Sequence, residues 1–112
     1  MNKGLFSSAV AMCALVCFSN ASFADMSEQA QAGRGIAERF CSRCHAIGPE
    51  GASPHQDAPP FAQIVAKGNV ENLEEALGEG IVVGHPDMPQ FQFSPQNVGA
   101  LVAYLRSLSG KG

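Results

Sequence analysis

From residue 27 to residue 44, apolar or small side chains recur at Ala30, Gly33, Ile36, Ala37, Phe40, Cys41 and Cys44. That three-and-four spacing predicts an amphipathic helix, with Asp25 or Ser27 available as its N-cap. The pattern stops in residues 46–60, where Gly48-Pro49, Gly51, Pro54 and Pro59-Pro60 predict a loop. Pro60 suits the first position of a short helix carrying Phe61, Ile64 and Val65 and ending at Gly68. A third helix is expected to start near residues 70–72 and to bury Leu73, Ala76 and Leu77, with Gly78 and Gly80 weakening its end. The run Ile81-Val82-Val83 has strand propensity but no partner strand, so a helix end or an extended loop is expected there. Residues 84–92 form a second proline-bearing loop. Ser94-Pro95 then offers an N-cap and a first helical residue, followed by Val98, Leu101, Val102, Leu105 and Leu108 at helical spacing and a stop at Gly110. The expected fold class is all-α, about four helices joined by proline-rich loops.

The first residues change the count of what folds. Lys3, an apolar run over residues 5–18 and the small residues of Ser22-Phe23-Ala24 have the layout of a cleavable secretory signal. The run is short for a membrane span. The expected division is a signal peptide over 1–24 and one domain over 25–112, exported to a bacterial periplasm, with no stable membrane insertion after cleavage. Cys13 and Cys17 leave with the signal, so Cys41 and Cys44 are the only thiols of the mature chain. No structural disulfide then remains to support a small exported domain. The full chain has ten acidic and seven basic residues, a net charge of −3; loss of Lys3 makes it −4. An acidic chain lacks the basic patch that nucleic acid requires, and charge alone will not hold it on an anionic membrane.

The chemistry concentrates in Cys41-Ser42-Arg43-Cys44-His45. Two thiols three positions apart with a histidine directly after form the C-x-x-C-H haem-attachment pattern. One helical turn between the cysteines lets both sulfurs reach one edge of a haem, each adding to a vinyl group, and puts His45 in place as an iron ligand. Rival uses of the same residues fit less well. A thioredoxin-like dithiol needs a βαβ context that is missing. A structural zinc site needs four ligands, and only His55 and His85 remain to complete one. A Cys41–Cys44 disulfide leaves His45 unexplained. Burying the faces of a haem, on the order of several hundred Å², contributes roughly 10 kcal/mol. The cofactor is therefore expected to be part of the core, and the chain without it largely unfolded.

A second axial ligand can come from Met26, Met88, His55 or His85, or the position can stay open. Met88 sits between Pro86 and Pro89, which fix φ and stiffen the backbone. A stiffened loop suits a weak thioether ligand, because less entropy is lost on binding. Met88 is the expected ligand, with His85 as the alternative and His55 read as a solvated loop residue. Histidine–methionine ligation raises the reduction potential and suits electron transfer. An open site would suit gas or peroxide chemistry instead. Gly33, costly by about 1 kcal/mol in mid-helix, marks either a close helix approach or a tolerated residue.

With the attachment motif near the mature N-terminus and Met88 ahead of a final helix, the chain resembles class I cytochromes c over nearly all of residues 26–109. Pro86-Asp87-Met88-Pro89 and the helix over residues 101–108 are also similar to short bacterial periplasmic members. The resemblance implies a small cytochrome c fold wrapped around one covalently bound haem c. It implies that Gly33 meets the last helix near Tyr104, that a proline carbonyl, here Pro59, accepts a hydrogen bond from His45, and that Phe61 lies against the haem. It implies a non-enzymatic electron carrier that is a monomer or a loosely associated subunit, with redox proteins as donors and acceptors. Two departures stand out. Ala37 occupies a position where the family often has an aromatic, for which Phe40 can compensate, and no tryptophan is present to bond a propionate. The alternatives are a haem enzyme or gas or peroxide sensor with a labile sixth site, and a fixed electron-transfer subunit of a dehydrogenase.

Overall fold

The computed structural model describes residue 4, residues 26–81 and residues 84–110. The expected export signal lies outside these residues, Gly4 apart. Four helices appear among them: α1 (Glu28–Phe40), α2 (Phe61–Ala66), α3 (Val70–Glu79) and α4 (Pro95–Ser107). No strand occurs among the described residues, so the chain is all-α.

The centre of the fold is the contact between α1 and α4. Ser27 caps α1, its Oγ accepting from the Ala30 N–H at 3.1 Å, and Glu28 and Arg39 stand at the ends where the helix dipole favours their charges. The buried face of α1 is Ala30, Gly33 and Ala37, three small residues that let α4 approach. A Cβ at Gly33 would stand 1.9 Å from the Ala100 carbonyl oxygen and 2.9 Å from the Tyr104 Cβ. Glycine is required there, and close approach is the reason. On the other side, α4 starts with Ser94 accepting from the Asn97 N–H at 3.2 Å and Pro95 in the first turn. It buries Val98, Leu101, Val102, Tyr104 and Leu105, with Leu101 and Leu105 the largest fully enclosed side chains.

The shorter helices pack beside α4. Pro60 is the N-cap of α2 rather than its first residue. Glycines in the left-handed region follow α2 and cap α3, Gly68 at φ +73° and Gly80 at φ +74°. Val70, Ala76 and Leu77 are the buried residues of α3. Leu73, expected in the core, packs against it while staying half-buried and lining a cavity. Of the Ile81-Val82-Val83 run, only Ile81 lies within the described residues, exposed and outside any helix. The chain beyond is tied back to α3 by the Phe93 N–H on the Leu77 carbonyl at 2.9 Å and the Gln90 amide on the Gly80 carbonyl.

Candidate functional site

The helix expected to run through residue 44 stops at Phe40. The N–H groups of Cys41 and Ser42 both bond to the Ala37 carbonyl, at 2.9 and 3.0 Å, which ends the helix. Those of Cys44 and His45 then both bond to the Cys41 carbonyl, at 3.1 and 2.9 Å. The motif is thus a tight turn beyond α1, and the turn, not a helix, puts both thiols on one cavity wall. Both thiols are free. Burial pushes the Cys41 thiol up to about 11.

His45 is held from the next loop. Its Nδ1 lies 2.7 Å from the Pro59 carbonyl oxygen. A carbonyl can only accept, so Nδ1 carries the hydrogen and Nε2 keeps its lone pair. Burial lowers the His45 pKa, against the Pro59 hydrogen bond, which raises it, and with smaller lowering contributions from His85 and His55. The result is a neutral imidazole with one free nitrogen, the state a metal ligand needs. Phe61 stands beside it, ring centroids 5.5 Å apart. The N–H of Phe61 bonds to the Ala46 carbonyl at 2.9 Å, fixing α2 to the residue after His45.

Cys41, Cys44, His45, Pro59, Phe61 and Met88 all line a single cavity of about 600 Å³, within the usual range for small-molecule sites. Its other walls come from α3 and its N-cap, through Asn69, Asn72, Leu73 and Leu77, and from Leu101 and Leu105 of α4. Met26, weighed as an iron ligand, packs against the hydrophobic core instead. Phe40 does not take over the helix contact at Ala37, which is fully buried. Its ring, 44% exposed, joins Phe91 and Phe93 at 6.2 and 5.5 Å on the cavity wall.

His85, the alternative ligand, sits among the other two histidines. Its ring lies 5.9 Å from that of His45 and 5.8 Å from that of His55, nearly parallel to the latter. Both its ring nitrogens are buried without a hydrogen-bond partner, which is costly unless something else satisfies them. His55 is not the solvated residue expected. Its side chain is 30% exposed and its Nε2 lies 3.2 Å from an Asp87 carboxylate oxygen. Nothing in residue spacing signals that pair, because its members sit in different loops.

These residues fit a haem. Two thiols on one wall supply the tether, an imidazole with an available Nε2 supplies an iron ligand, and unpartnered donor atoms converge on the same apolar space. The family model described as Cytochrome c matches residues 30–109. Among curated proteins, cytochrome c-552 of Bradyrhizobium diazoefficiens is 28% identical over 97 residues, covering 87% of this chain and 91% of that protein. No solved structure matches significantly.

Proposed function

This chain belongs to the cytochrome c family, as a class I member and haem-based electron carrier, and on that premise we propose that it shuttles single electrons between redox proteins of the bacterial periplasm with His45 and Met88 as axial ligands. Residues 1–24 would direct export and residues 25–112 would form the working domain. The observation that carries this reading is the meeting of Cys41, Cys44, His45 and Met88, from two distant segments, on one cavity.

Haem c, when bound, supplies an iron that gains and loses one electron. The chain's residues determine how readily. Cys41 and Cys44 would hold the macrocycle covalently, so exchange with a partner moves an electron and never the cofactor. The Pro59 carbonyl, by holding the Nδ1 hydrogen of His45, fixes the ring's orientation and raises the basicity of Nε2. Leu73, Leu77, Leu101 and Leu105 keep that wall of the site apolar, which disfavours the more highly charged oxidised state and raises the potential. The Met88 thioether would do the same as a weak ligand for ferric iron. Ligands held in place by the two loops would keep rearrangement small.

Met88→Ala should lower the reduction potential by on the order of 100 mV, a modest part of the roughly 0.8 V that axial ligands span, and voltammetry reads it directly. An unchanged potential contradicts Met88 ligation. A second reading, favoured by the two unpartnered nitrogens of His85 and its 5.9 Å approach to His45, makes His85 the distal ligand. In that case His85→Ala, not Met88→Ala, moves the potential.

A further inference from the structure

His55 joins the two loops that carry the proposed iron ligands. Its backbone N–H donates to the Cys44 carbonyl at 3.1 Å, fixing it to the attachment turn. Its Nδ1 accepts the Asp57 N–H at 3.1 Å. With Nδ1 accepting, the ring hydrogen is on Nε2 and is donated to Asp87, 3.2 Å away. The same ring stacks on His85 at 5.8 Å. One imidazole therefore grips the residue directly before Met88 and covers the ring of His85, while its own backbone is held to Cys44. The carboxylate of Asp57 adds to the need for it. Ligand atoms of His55, Asp57 and Asp87 lie within 4.8 Å of one another, so without a donor between them two like charges would face each other across the loops.

We propose that His55, through Asp87, is a positioning residue that holds the loop over residues 84–92 closed against the attachment loop and so keeps the distal ligand in place. This rests on the reading that the 84–92 loop supplies that ligand. An external ligand then reaches the reduced protein only in the fraction of molecules whose loop is open. Loss of a partly exposed pair raises that fraction about two- to fivefold.

The test is carbon monoxide association with the reduced holoprotein. His55→Ala and Asp87→Ala should each speed it about two- to fivefold, and the double variant no more than either single one, since both remove the same contact. Asp87→Asn, which retains an acceptor for Nε2–H, should stay near the native rate. Ser53→Ala is the control for loose packing: Ser53 bonds the Ala46 N–H at 3.0 Å in the same loop without reaching residues 84–92, and it should leave the rate unchanged. Native rates in His55→Ala and Asp87→Ala, beside fast binding in Met88→Ala or His85→Ala, overturn the positioning role and leave the ligand reading intact. An effect in Ser53→Ala equal to that in His55→Ala, or additive singles, also overturns it. If neither Met88→Ala nor His85→Ala changes the rate, the distal-ligand reading itself falls.

Discussion

At Gly33 a hydrogen atom stands where any other residue would place carbon against the α4 backbone. The obstruction is the Ala100 carbonyl, which no side-chain rotation relieves. Gly33→Ala should therefore cost at least the upper end of overpacking penalties, about 3 kcal/mol, measured by denaturant unfolding of the holoprotein. Tyr104 answers from the other helix, its hydroxyl donating to the Ile47 carbonyl at 2.7 Å. Tyr104→Phe should cost about 1 kcal/mol near neutral pH. Burial raises the Tyr104 pKa, with Arg34 opposing and Glu38 assisting more weakly. A folded value above the unfolded value of about 10 means that this tyrosine's contribution is complete below that pH. It is lost as pH rises through the folded value. Unfolding followed from pH 8 to 12 should show that extra alkaline loss in the native protein and not in Tyr104→Phe. Residues of this kind differ in how readable they are. Gly33 stands out because mid-helix glycine is costly, whereas nothing in the sequence couples Tyr104 to Ile47 or His55 to Asp87, since those contacts exist only after the loops close.

At the scale of elements, caps and periodicity were the readable features. Ser94-Pro95 starts α4 and Ser27 caps α1 because a side-chain oxygen satisfies an N–H that the helix cannot. Ser94→Ala should cost about 1 kcal/mol, visible as a lower thermal midpoint of the holoprotein. The end of α1 was misread for a physical reason. Apolar positions continue in helical register to Cys44, but those at Cys41 and Cys44 face a cofactor cavity rather than a neighbouring helix. The turn that carries them is set by two carbonyls, those of Ala37 and Cys41, each taking two N–H groups. Leu73 packs against the core as expected but stays half-buried, because its remaining face lines the cavity. His85, the alternative ligand in the sequence reading, has its ring brought against two others only by the closing of the loops, which residue spacing does not signal.

Over the whole molecule, an apolar cavity of about 600 Å³ stands where the four helices would otherwise meet, and a close-packed protein interior leaves no such space without something to fill it. The cofactor thus completes the core, and the Cys41→Ala/Cys44→Ala chain should lose most of its helical circular dichroism. Full native helicity in that variant would contradict this. Among the described residues no helix is long and apolar enough to cross a membrane. The central claim is that the 84–92 loop closes the iron with Met88, and the most direct measurement is an optical titration of the native, reduced holoprotein with carbon monoxide, alongside the ferric spectrum. A reduced spectrum that carbon monoxide alters only slowly, through the small open-loop fraction, together with an iron–thioether absorption band, is the predicted result. Ready carbon monoxide binding, or a ferric spectrum without that band, would contradict it.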